Sequence, residues 1–218
     1  MTEQADWAKA RANVNRFLSA AYLKPPGESL VATLSGDSFI EELEKIFGST
    51  AVDGLRKFAE EFEGDHESLD QEFQELFMVP LGRYVTPYES VYRDERQVGD
   101  TVVRGLLAGD STLAVKQLYR EAGADISEDF KDFPDHIGLE LACMEFLCEQ
   151  EARAWEQQDL AKAGQMRELQ KRLLHEHLLV WAPALCARIR ENAPGPFYRG
   201  IAGLTEASLR WEASFLTE

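Results

Sequence analysis

An acid followed by a histidine, Asp135-His136, stands at the threshold of a segment apolar on almost every side, Ile137 to Trp155. Such side chains act as general acids and bases, ligate metals, cap helices or receive a cationic ligand at the lip of a groove. Each role has a spacing requirement. A di-iron bundle needs two Glu-x-x-His pairs on facing helices, and the one such spacing here, Glu63 to His66, is interrupted by Gly64. His175 and His177 lie two apart and so face different sides of a helix. No Cys-x-x-Cys occurs. No metal and no other cofactor is expected.

Covalent and phosphate chemistry fare no better. The stretch Gly109-Asp110-Ser111-Thr112 lacks the lysine of a phosphate-binding loop, and no Gly-x-Ser-x-Gly elbow exists. Cys143 lies two helical turns beyond His136, but reactive thiolates need exposed, electropositive surroundings. Cys143 instead sits between Ala142 and Met144. The chain reads as a binder and not an enzyme. A weak nucleotide hydrolase is the enzyme-class alternative, and the missing phosphate loop stands against it.

Helical periodicity dominates the elements that must position these residues. Trp7, Val14, Phe17, Leu18, Ala21 and Tyr22 form one stripe, ended by Pro25-Pro26. Similar stripes run over Phe39–Phe47, Val52–Phe62 and Leu69–Phe77, the last closed by Pro80. The stretch Val79–Gly99 breaks the pattern with two prolines, two glycines and three tyrosines. Loops of this length and apolarity are usually functional. Helix resumes with Asp110 or Ser111 as N-cap and Gly123 as its C-terminal stop. A long helix from about Pro134 to Trp155 follows, then one after Asp159, one with Pro183 in its first turn, and a last amphipathic helix from Pro196. No strand pattern competes. The expected fold is all-α, roughly nine or ten helices in one compact bundle, with a hinge near 124–133. A structural role for the threshold residues is also open: Asp132 caps the helix, Asp135 sits at N3, His136 is exposed, and Glu140 pairs with His136.

Lysine and arginine number 23 against 39 acids, so the net charge is −16. A chain this acidic repels phosphate backbones, which excludes nucleic acid and favours a cationic partner. The three cysteines Cys143, Cys148 and Cys186 cannot all pair and read as small hydrophobes of a reducing compartment. The N-terminus has no apolar signal region, and no run of about 18 apolar residues occurs to span a bilayer. The expected location is the cytoplasm.

Four stretches, in order, resemble the redox-enzyme maturation chaperones of the TorD, DmsD and NarJ type. They are "LFMVPLGRYVTPYESVY", "GDSTLAVKQLYREAG", "FPDHIGLELACMEFL" and "PFYRGIAGLTEASL". The resemblance implies a cytoplasmic, all-helical chaperone without turnover. It would bind the twin-arginine leader, the apo body, or both, of a molybdopterin oxidoreductase catalytic subunit of the dimethyl-sulfoxide-reductase superfamily. The client would be held until its cofactor is inserted. A NarJ-like variant would serve a non-exported enzyme and bind mainly the client body.

A receptor for two arginines followed by an apolar run needs carboxylates for the guanidinium forks and an apolar trough. Asp135 and Glu89 are the expected carboxylates, with His136 and Glu140 beside them. Tyr84, Tyr88 and Tyr92 offer faces for stacking, and Leu76, Phe77 and Pro87 are the expected trough. Gly109 is a turn residue that lets a ligand backbone come close. Two charge-assisted bonds at about 1.5–3 kcal/mol each, plus a few apolar contacts less ordering costs, leave roughly −8 kcal/mol, or micromolar binding. The chain itself is expected as a monomer, or as a dimer formed by domain exchange through a hinge.

Overall fold

Helix ends fall where the sequence punctuates them. The structure, a computed structural model, describes residues 3–98, 101–126 and 131–217. It contains α1 (Glu3–Leu23), α2 (Glu28–Ser35), α3 (Asp37–Phe47), α4 (Ser49–Glu61), α5 (His66–Phe73) and α6 (Glu89–Arg93). There follow α7 (Asp110–Ala122), α8 (Ile137–Glu156), α9 (Leu160–Arg172), α10 (Leu179–Asn192) and α11 (Pro196–Phe215). A π-helical stretch, Gln74–Met78, prolongs α5, and another, Leu173–Leu178, fuses α9 to α10. Asp65 caps α5 by accepting from the Ser68 N–H at 3.0 Å, and Asp159 caps α9 through Lys162 at 2.9 Å. Gly123 ends α7 in the left-handed region, at φ +72°. The fold is all-α, as expected.

The expected apolar stripes form the core. Val14, Phe17, Leu18, Ala21 and Tyr22 of α1 are buried, where α1 runs along α8. Trp7 departs from this pattern at 38% exposed, although its ring meets Trp211 at 5.8 Å and Phe215 at 6.2 Å. On the other side α11 packs on α4 at very short range. A Cβ placed on Gly54 would stand 2.6 Å from Gly200 Cα, so two glycines make the crossing.

Three expectations need correction. The stretch around Val79–Gly99 is not wholly irregular: it contains α6 and the strand Glu95–Val98 (β1), which pairs antiparallel with Thr101–Arg104 (β2). The run Val98, Thr101, Val102 and Val103 is β-branched, with Gly99-Asp100 between its parts in sequence, which is a hairpin signal. Neither Asp110 nor Ser111 caps α7. Asp94, at the end of α6, accepts from Ser111 N at 3.0 Å and Ser111 Oγ at 2.8 Å. Gly109 permits this approach, since a Cβ there would fall 1.9 Å from Asp94 Oδ2. Pro183 lies inside α10 and not at a helix start; the wide turn Leu173–Leu178 precedes it. The hinge expected near 124–133 includes residues 127–130, which lie outside the described residues.

Arg11 of α1 joins four elements in the interior. Its Nη2 and Nε meet Glu212 of α11 at 2.8 and 2.9 Å, and its Nη1 meets Glu151 of α8 at 2.9 Å. Gln170 of α9 also accepts from Nη2 and donates to Glu151 at 2.9 Å. The Phe215 ring lies 4.7 Å from the guanidinium. Every member of the set is buried and bonded, which is the condition for a buried ion network to hold.

Candidate functional site

Two segments far apart in sequence are sewn together. The Glu89 N–H donates to the Asp135 carbonyl at 3.0 Å, and the Ile137 N–H to the Pro87 carbonyl at 2.9 Å. Tyr88 and His136 thereby face each other as an isolated antiparallel bridge. The Asp135 side chain accepts from the Ser90 N–H at 2.9 Å and so satisfies the start of α6. His136, whose Nδ1 accepts from the Gly138 N–H at 3.0 Å, caps α8. Asp135 thus caps α6 from across the junction, while α8 is capped by its own His136 with the Pro87 carbonyl accepting its first N–H.

The acids lie inside this junction. Glu89, Asp135 and Glu140 have no exposed surface. Glu89 Oε1 receives Arg93 at 2.6 Å, and its Oε2 meets His177 Nδ1 at 2.7 Å. Glu140 Oε2 accepts from Trp181 Nε1 at 3.1 Å. Four buried polar atoms, Asp135 Oδ1, Glu140 Oε1, Ser90 Oγ and Tyr92 OH, have no hydrogen-bond partner among the described residues. Burial holds the His136 imidazole down at about 4, against the pull of Asp132 and Asp135, so it is neutral and Nδ1 is free to accept.

Burial pushes the Glu140 carboxyl well above its usual 4.5, and the neighbouring Glu89 charge adds to the shift. The folded protein therefore keeps a proton that the unfolded chain releases, so this residue lowers stability as pH rises from about 4.5. Glu140→Gln removes that falling limb. Denaturation across pH 4–8 should show the variant more stable at neutral pH, by about 1–3 kcal/mol if the amide satisfies the orphaned atom, with the difference vanishing near pH 4.

Not every expected site residue converges here. Pro87 is buried with its carbonyl in the junction, and Tyr88 is half-buried with its hydroxyl donating to Asp132 at 2.7 Å. Asp132 thus holds the tyrosine and does not cap α8; His136 is buried and not exposed; Glu140 pairs with Trp181 and not with His136. Tyr92 packs on Trp181 at 5.4 Å under the Arg188 guanidinium. Tyr84 is half-buried. Leu76 and Phe77 are core residues and line no trough: Phe77 meets Tyr22 at 6.0 Å and Tyr198 at 5.2 Å. Gly109 serves the Asp94 cap. Asp135 and Glu89 are buried and Glu89 already holds Arg93 and His177, so no guanidinium from outside the chain reaches them in this conformation. Beside the junction a groove of ≈ 360 Å³ is lined by Tyr119, Asp132 and Pro134, with Lys116, Arg120 and Asp125 around it.

Sequence reasoning missed His177, Trp181, Arg93 and Asp94. A signal existed for His177, which lies four residues after Leu173 on a buried apolar stripe, where an unpaired polar side chain is unexpected. Among the described residues no cluster of three or more His, Cys, Asp or Glu is placed to hold a metal, and no helix is long and apolar enough to cross a membrane.

Comparison with known proteins places this geometry. A family model described as nitrate reductase delta subunit matches residues 48–187, well over half of the chain. The chain belongs to this family. A Tat proofreading chaperone DmsD of Salmonella typhi is 32% identical over 151 residues, covering 69% of this chain and 63% of that protein. A chaperone protein TorD of Vibrio cholerae is 24% identical over 217 residues, covering 95% and 92% respectively. The chain thus spans 63% of the length of the DmsD relative and nearly all of the TorD one. The nitrate reductase delta subunit match runs from α4 into α10 and contains the whole junction, leaving α1 to α3 and α11 outside it.

Proposed function

We propose that this chain is a redox-enzyme maturation chaperone of the cytoplasm that binds the twin-arginine leader of a molybdopterin oxidoreductase catalytic subunit and holds it for cofactor insertion. What supports the reading is the junction itself: the Pro87–Glu89 and Asp135–His136 segments form one hydrogen-bonded unit in a member of this family. The names of its relatives agree, since they are chaperones and one is a Tat proofreading protein. In this reading Asp135 and His136 shape the binding surface from beneath, and Tyr84, Tyr88 and Tyr92 present it.

Calorimetric titration with leader peptides tests the reading. Micromolar binding is expected, weakened about fivefold or more in His136→Ala, which removes the α8 cap and loosens Tyr88, with Asp135→Asn intermediate because the amide still accepts from Ser90. If no leader of a molybdoenzyme binds above background, the reading fails.

The enclosure of Glu89 and Asp135 favours a second version, in which the client body is the main epitope and the mixed-charge groove beside Asp132 receives it. Retained capture of a leader-deleted client would select this version.

A further inference from the structure

With Asp135 and Glu89 closed in by Ser90, Arg93 and His177, the arginines of a leader need another receptor. A groove of ≈ 300 Å³ between the end of α4, one face of α5 and the start of α11 has the required chemistry. Its floor is aromatic, with the Phe58 ring 4.9 Å from Phe62 and 5.0 Å from Phe197. Four carboxylates line it, Glu61, Glu63, Asp65 and Glu72, and no lysine or arginine does. Other grooves on the surface differ: the one beside α3, α4 and α11 carries Arg190 and Arg210, and the one beside α7 carries Lys116 and Arg120.

Glu72 is the informative member. It is only 7% exposed, yet it has no ion-pair partner within 4 Å among the described residues. One oxygen accepts from the Gly195 N–H at 3.3 Å, and the other lies against Gly195 where a Cβ would stand 2.9 Å away. Burial pushes its carboxyl up, while Arg83 and Arg199 act only through space. A buried carboxylate with a single weak backbone donor is costly to keep unless a cation completes it.

The order of chemistry along α5 also matches a leader. The acidic groove runs along it from Asp65 to Glu72, and from the end of the π-helical stretch onward the chain exposes Met78, Val79 and Leu81, the last at 75%. Glu72 stands six residues before Met78, a rise of about 9 Å along the helix, which about three extended residues cover. We infer that the α4–α5–α11 groove receives the arginine pair of the leader, with Glu72 as the guanidinium acceptor and the exposed end of α5 beneath the apolar run. This rests on the leader-binding reading above.

The test is fluorescence anisotropy with a labelled peptide in which two adjacent arginines precede a leucine- and phenylalanine-rich run, against a control with glutamines for arginines. Glu72→Gln keeps an oxygen for the Gly195 N–H and removes the charge. Its affinity for the arginine peptide should fall at least tenfold, the worth of one charge-assisted pair, while the glutamine peptide is unaffected. The Gly195 amide resonance should move when the arginine peptide is added to the wild-type protein. Should Glu72→Gln fail to fold, the exposed pair Glu61→Lys and Glu63→Lys carries the test with the same expected loss. Equal affinity of wild type and variants, with arginine still preferred over glutamine, overturns the groove and leaves the leader reading standing. No preference for arginine on the wild-type protein overturns both.

Discussion

Arg11→Ala should cost about 3–5 kcal/mol of folding stability, the typical result of removing one partner from a buried ion network. The magnitude follows from what remains. Glu151 and Glu212 stay buried with 1% and 2% exposure, and the cation that faces both at 2.8–2.9 Å is gone. Burial already holds the Glu212 carboxyl above its ordinary range, and Arg11 is a main force drawing it back down. Without Arg11 that carboxyl rises further, so the loss should be largest above neutrality and shrink as acid supplies the missing proton. Urea denaturation at pH 5 and pH 8 measures both. Replacing the network together, Arg11→Met with Glu151→Leu and Glu212→Leu, should recover most of the loss, because no buried carboxylate is left without its cation and Arg167, which also faces Glu151 at 3.7 Å, is partly exposed to water. A triple variant less stable than Arg11→Ala would mean the network is worth more than its separate desolvation.

Gly200→Val should be nearly as damaging for a steric reason. A Cβ at position 200 would lie 2.6 Å from Leu55 N and 2.8 Å from Gly54 C, and both are backbone atoms of α4. No side-chain rotation relieves such a contact, so α11 must move away from α4 and uncover Phe58, Leu55 and Phe197. Overpacking costs about 1–3 kcal/mol where side chains can adjust, and here the upper end or beyond is expected. Thermal melting should register a drop of roughly ten degrees or more. Exposed Gly164 of α9, which meets nothing within 4 Å, is the control, and Gly164→Ala should be neutral to slightly stabilising.

These two sites show how far the chain could be read without coordinates. The stripe containing Leu18, Ala21 and Tyr22 was legible because burial of one helix face imposes a period of 3.6 residues, which is local. The ends at Pro25, Gly123 and Asp159 were legible because a cap acts within a few residues of itself. The Asp135-His136 pair was recognisable as special from its position before an apolar helix. Its partners were not, since Ser90 lies 45 residues away and His177 lies 88 from Glu89. The hairpin escaped because two strands of four residues each offer too little alternation to compete with the surrounding helical pattern.

By itself, then, the sequence determined the all-helical class, the helix limits at Pro25, Gly123 and Asp159, the lack of a catalytic or metal-binding motif and the two segments that meet at the junction. All of these follow from periodicity, capping and motif spacing, which operate over one or two turns. Tertiary structure alone decided that Glu89 and Asp135 face inward, that Asp94 and not Asp110 caps α7, that Leu76 and Phe77 belong to the core, and that Glu72 is buried without a cation. Each of those depends on which elements pack together, and the direction a carboxylate faces is set by the desolvation and charge of neighbours remote in sequence.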